Sequence, residues 1–158
     1  MTIYTAPDTA PSLDVFIAGD YLPNDWQSEA AASLNSEGLD VAIATPPSDP
    51  ARINAPVEHI HWDREHMALA RVLLFWIPQH DIHPLALCQL AFYAGRGRKD
   101  IILGRAPKGA IPLHLFPYLE EAPEIASFDT MEEAIQVADV TAHQVREEEE
   151  DSAEEGQS

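Results

Sequence analysis

The chain predicts a small doubly wound α/β domain with about five mostly parallel strands and helices on both faces of the sheet, and two observations carry that expectation. Short continuous apolar runs recur at Val15–Ala18, Leu39–Ala44, Val72–Ile77 and Asp100–Gly104, the pattern of strands buried on both faces rather than of strands with one wet side. Between them lie stretches with apolar residues at helical spacing, and alternation of strand with helix is what a parallel sheet requires of its crossovers. With 158 residues and 46% hydrophobic content, the chain suits one domain with its own core.

Each element follows from local signals. Residues 1–12 hold Pro7 and Pro11 among small polar residues and read as a flexible N-terminal arm, with the domain spanning residues 13–146. Val15–Ala18 is the first strand, ended by Gly19-Asp20. Asn24 or Asp25 is placed to cap a helix over Trp26–Glu37, with Trp26, Ala30, Ala31 and Leu34 at helical spacing and Gly38 as its stop. Leu39–Ala44 is the second strand. The following TPPSDPARINAP carries four prolines, which argues for a long irregular loop. Glu58–Ala70 is a helix candidate, Val72–Ile77 the central strand, and Pro84–Gly95 a helix with proline in its first turn. Asp100–Gly104 is the fourth strand and Glu124–Phe128 a weaker fifth. Asp129 or Thr130 then caps a last helix ending near Glu147. Residues 147–158, with seven acids in twelve positions, read as a disordered acidic tail.

Nine basic against 27 acidic residues give a formal charge of −18, which repels nucleic acid and argues against it as a partner. The lone Cys88 has no partner for an intramolecular disulfide, and no apolar run approaches a membrane span. The N-terminus lacks a basic stretch followed by an apolar one, so a soluble cytoplasmic protein without membrane contact is expected.

Residues 57–95, VEHIHWDREHMALARVLLFWIPQHDIHPLALCQLAFYAG, place a Trp-acid pair before an apolar strand and a Pro-led helix after it. With VFIAG at 15–19 and DWQ at 25–27, their order and spacing resemble the nucleoside 2-deoxyribosyltransferase-like family, over roughly Val15 to Val137. The resemblance implies a flavodoxin-like domain, paired with a second copy as a homodimer or higher homo-oligomer. It further implies a nucleoside or nucleotide ligand and cleavage or exchange at an N-glycosidic bond. No cofactor belongs to that chemistry.

Carried over by position, Asp63 stands where the family has a carboxylate, and Gln89 stands where it has the nucleophilic Glu of S-P-x-S-L-x-E-L-G. His83 and Ala91 depart from the same motif. An amide cannot attack a sugar carbon, so Gln89 is expected to position the sugar, with Asp63 as acid or base and His83 as proton donor or phosphate contact. Two roles stay open for Asp63: a carboxyl whose pKa is raised beside the Trp62 ring, or a first-turn acid favoured by the helix dipole. A protein that kept the scaffold and lost the reaction is the alternative.

The resemblance places Gly19, Asp20 and Tyr21 in the ligand pocket, with Trp26, Trp62, Trp76 and Tyr93 around it. GDYLPND is no G-x-G-x-x-G cradle, and Asp20 serves equally as a strand terminator. Trp76 suits either the core or a stack on a base, while Cys88 reads as a packed core thiol. His59, His61, His80, Asp81 and His83 do not make a zinc spacing, and exposed loop histidines without a metal are expected. Gly95–Lys99 is the one dense basic stretch, read as a turn favoured by the preceding helix's C-terminus rather than as a phosphate site.

Overall fold

The computed structural model describes residues 1–19, 25–45, 49–77, 84–97, 100–105 and 125–155. One open sheet of six parallel strands organises them, in the order β1 (Ile3–Tyr4), β3 (Val41–Ile43), β2 (Leu13–Gly19), β4 (Ala70–Ile77), β5 (Ile101–Arg105) and β6 (Ile125–Phe128). Without the short β1, this is the 2-1-3-4-5 order of flavodoxin-like folds. The helices are α1 (Trp26–Ser36), α2 (Pro50–Asn54), α3 (Pro56–Leu69), α4 (Pro84–Ala94) and α5 (Met131–Glu155).

The strand pattern divides the core. Phe16, Leu73, Phe75 and Leu103 face the layer of α3 and α4, meeting Trp62, Met67, Leu90 and Tyr93. Val15, Ile17, Val72, Leu74 and Ile102 face the layer of α1 and α5, meeting Trp26, Ala30, Leu34, Ala134, Ala138 and Ala142. The three alanines at four-residue spacing let α5 lie close on the sheet. Because β3 and β4 flank β2 on opposite sides, the chain reverses direction at β2. The carboxyl ends of β2 and β4, where Gly19 is registered with Trp76, are the topological switch point of the sheet.

Three local expectations are corrected. The arm is not loose: Ile3 and Tyr4 pair with Val41 and Ala42, and the Asp8 carbonyl accepts from the Trp62 indole at 2.6 Å. A strand of two residues is too short to announce itself by alternation. The proline-rich stretch contains α2, because Pro50 sits in the first turn, where no backbone donor is needed, and Asp49 caps Ala51 N–H at 2.7 Å. The six strands agree with the expected number of about five, the sixth being the short β1. Finally, α5 continues to Glu155 through the acidic run. Glutamate is a good helix former, Glu149 is held by Arg71 at 2.8 Å, and Arg146 is bound to Asp14 at the foot of β2.

Asp14 is the hub of that clasp. It is buried, and it accepts from Asp40 N–H at 2.8 Å, from Arg71 at 2.7 Å and from Arg146. The amino edge of the sheet is thereby tied to α5.

Candidate functional site

α3 and α4 descend side by side on one face of the sheet, and a cleft of about 330 Å³ lies between them, within the usual ~300–1,000 Å³ range of small-molecule pockets. Ile60, Met67, Leu85 and Phe92 make most of its wall, and Asp63, Gln89 and Tyr93 supply polar groups. Asp63 and Gln89 meet here: the Gln89 amide nitrogen donates to Asp63 Oδ2 at 3.4 Å. Tyr93 is also buried in this wall, its hydroxyl donating to the Arg64 carbonyl at 3.2 Å.

Arg52, from α2, completes the constellation. One guanidinium nitrogen donates to Asp63 Oδ2 at 2.8 Å and another to the Thr45 carbonyl at 2.8 Å, just past the end of β3. Both charged side chains are almost wholly buried, at 6% and 2% exposure, so Coulomb attraction is screened little. Asp63 Oδ1, in contrast, has no hydrogen-bond partner among the described residues. Burial pushes the Asp63 carboxyl above its ordinary value, opposed by the hydrogen bond and charge of Arg52, then by His59 and Gln89. The site therefore holds a carboxylate with one oxygen clamped and the other buried without a hydrogen-bond partner among the described residues, inclined toward taking up a proton.

Asp63 lies in the second turn of α3, so the first-turn dipole role does not apply to it. Trp62 does not line the cleft. Its ring stacks on His66 with centroids 3.9 Å apart, and its indole N–H is taken by Asp8. Trp26 and Trp76 belong to the core on the opposite face, where a Cβ on Gly104 would lie 2.3 Å from the Trp76 ring. Gly19 has φ +145°, and a Cβ there would fall 2.3 Å from the Trp76 carbonyl oxygen and 3.1 Å from the Trp26 ring. Its role is close packing of β2 on β4. Asp20, Tyr21 and His83, with His80 and Asp81, lie outside the described residues.

Cys88 is exposed rather than a core thiol and lines the cleft. His59 is buried on α3, not exposed on a loop, and His61 two positions later points elsewhere on the same helix. His66 is a satisfied core histidine: its Nδ1 pairs with the Trp62 carbonyl at 2.8 Å and its Nε2 with Ala10 N–H at 3.4 Å. Among the described residues no cluster of three or more His, Cys, Asp or Glu is arranged to hold a metal ion. None of the described helices is long and apolar enough to cross a membrane.

Arg52 is the site residue that sequence reasoning missed. The signal was present, an Asp-Pro pair capping a one-turn helix at Asp49-Pro50, but the prolines around it pointed to an irregular loop.

Residues 12–106 match the family described as nucleoside 2-deoxyribosyltransferase like, a stretch running from β2 through β5 that includes Arg52, Asp63 and Gln89. No curated protein matches the chain.

Proposed function

Since the chain belongs to the nucleoside 2-deoxyribosyltransferase-like family, we propose that it binds a nucleoside or nucleotide in the cleft between α3 and α4 and cleaves or transfers at the N-glycosidic bond. The observation that carries this reading is buried Asp63, a lining residue of the cleft whose Oδ1 has no hydrogen-bond partner among the described residues, one hydrogen bond away from the residue at the family's nucleophile position.

With Gln89 in that position, no carboxylate is available there to form a glycosyl-enzyme bond. The supported route is direct attack by water. Asp63 Oδ1 takes the water proton as the oxygen bonds to the anomeric carbon. The C–N electron pair leaves with the base, which takes up the proton that Asp63 accepted, so that the carboxylate is restored. A carboxyl raised above its ordinary value by burial is better matched to that transfer at neutral pH. The Gln89 amide nitrogen is spent on Asp63, so its carbonyl oxygen remains to accept from a sugar hydroxyl.

A second copy of the chain forms part of the reading. Ile53, Val57 and Ile60 on α2 and α3 are exposed apolar residues beside the cleft, suited to a homodimer contact that sedimentation analysis would detect.

The test is chromatographic detection of free base after incubation with deoxynucleosides, their monophosphates and NAD. Base release that falls about 10²–10⁴-fold in Asp63→Asn is the expected result. Absence of release from every substrate sinks the reaction, and binding without release would identify an inert ligand-binding relative.

A further inference from the structure

The segment between β3 and α3 is fastened to the fold through one side chain. Of residues 49–58, which hold α2 and the first turn of α3, only Arg52 is buried, while Pro50, Ala51, Ile53, Pro56 and Val57 are exposed. Packing of an apolar face, which usually holds a short helix in place, is therefore slight here. The tether is the Arg52 guanidinium, which reaches Asp63 Oδ2 and the Thr45 carbonyl at 2.8 Å each. The backbone bonds of α2 run inside the segment, from Ile53 N–H to the Asp49 carbonyl at 2.9 Å and from Ala55 N–H to the Ala51 carbonyl at 3.0 Å. Ala55, at φ −137° and ψ 60°, breaks the helix between α2 and α3 and supplies no side-chain cap, which makes it a hinge.

That tether is a weak one. A buried ion pair adds little net stability, because both partners lose their water. At Asp63, burial outweighs the hydrogen bond and charge of Arg52 and raises the carboxyl above its ordinary value, so the contact desolvates the carboxylate by more than the guanidinium offsets. Two buried side-chain atoms at this contact, Asp63 Oδ1 and His59 Nδ1, have no hydrogen-bond partner among the described residues. His59 and Asp63 are four positions apart and so share one face of α3, and contact with water would satisfy both. The reaction proposed for the site makes the same demand, since a water molecule must reach a carboxylate that is 2% exposed.

We infer that residues 49–55 form a strap latched to Asp63 by Arg52, which lifts as a unit about Ala55 while the sheet stays folded and so admits water to the carboxyl. This inference rests on the Asp63 reading for the purpose of the motion. The motion itself follows from how the segment is fastened, whatever ligand enters the cleft. Lifting takes Arg52 off Asp63 Oδ2, and Ile53, 63% exposed in the latched state, adds no apolar restraint against it.

Trypsin tests the motion on the full chain, because cleavage after Arg52 needs that side chain withdrawn from burial. Digestion at neutral pH, over urea concentrations below the unfolding transition, is expected to cut the Arg52–Ile53 bond at a rate that barely changes with urea, the mark of an opening that exposes little surface. Cleavage there that rises only in step with global unfolding overturns the strap. Hydrogen exchange at Ile53 and Ala55 tests the latch. Arg52→Met combined with Asp63→Leu replaces the ion pair by apolar groups of similar size and is expected to slow exchange at both amides about tenfold. Exchange that is unchanged or faster overturns the latch. His59→Leu, which removes the unpartnered Nδ1, is the second variant should the paired one not fold; slowing is expected again, and its absence overturns the latch. Opening below the unfolding transition without base release from any substrate keeps the strap and sinks the reaction, whereas base release without such opening sinks the strap alone.

Discussion

Replacing Arg52 by Met tests the electrostatics of the site most directly. The substitution keeps an unbranched side chain of similar length and leaves the Asp63 carboxylate, 2% exposed, with only Gln89 at 3.4 Å on the oxygen that Arg52 had held. An unpaired buried charge costs about 3–5 kcal/mol, but a carboxylate can escape part of that by protonating. Keeping an Asp of ordinary pKa ~3.9 neutral at pH 7 costs about 4 kcal/mol, from ~3.1 pH units at ~1.36 kcal/mol each. This is a ceiling, because burial already raises the Asp63 pKa with Arg52 present. The sign follows. Removing Arg52 raises the folded-state pKa further, so the carboxyl's contribution to stability is complete below the unfolded value and is lost as pH rises toward the folded one. The variant is therefore expected to lose little more than the Thr45 hydrogen bond, about 1 kcal/mol, near pH 4, and progressively more up to pH 7. Urea unfolding at pH 4.5, 5.5 and 7 measures this, and Asp63→Asn in the Arg52→Met background should flatten the profile. A loss that is the same at all three pH values would refute the buried-pair account.

Three further outcomes are expected. Gly19→Ala puts a Cβ 2.3 Å from the Trp76 carbonyl oxygen at a φ of +145°, so both strain and overpacking act. A loss of about 3 kcal/mol or more by urea unfolding is expected, and a loss under 1 would mean the strands separate easily at their carboxyl ends. Asp14→Ala leaves Arg71 and Arg146 without their shared buried acceptor. It should raise amide exchange across residues 143–155 well above that of the β2–β4 core, whereas uniform change would deny α5 a separate clasp. Gln89→Glu brings a second carboxyl to Asp63, and the pair should titrate as a dyad with one proton retained near neutrality. Base release is expected to rise and its pH optimum to shift, and an unchanged rate would argue against position 89 facing the sugar.

The sheet was legible in the sequence because its strands are buried on both faces: VFIA, VLLFWI and DIIL admit few alternatives to a parallel core. Elements held by distant partners were less so. Ile3–Tyr4 is a strand only because Val41–Ala42 offers an edge. The helix at 147–155 continues past the expected boundary where Arg71, far away in sequence, meets Glu149. At the site, the resemblance brought Asp63, Gln89 and Tyr93 to one cleft, as helical spacing on two neighbouring helices allows. It also gathered Trp26, Trp62 and Trp76 into the pocket. The structure distributes these between two faces of the sheet and the N-terminal segment, since a linear motif does not record on which side of a strand a ring emerges. Arg52 went unread because its role depends on contacts to Thr45 and Asp63 that no local pattern encodes.

Gln89 and Arg52 make most sense taken together. Two carboxyls within hydrogen-bond reach in a buried site do not both ionise near neutrality, so a Glu at position 89 beside Asp63 would compete with it for a single arginine. With an amide there, one guanidinium faces one carboxylate, and the buried charge of the described constellation sums to zero. The amide also donates to the carboxylate, which a second ionised carboxylate could not do. The departure at position 89 is thus compatible with a site in which the ionisable work is concentrated on Asp63. A glutamate restored at 89 would need a second cation, or a retained proton, to be equally stable. Combining Gln89→Glu with measurement of unfolding at pH 5 and pH 7 separates these cases: a dyad that keeps its proton loses about 1 kcal/mol or more between the two pH values, while an unburied glutamate loses none.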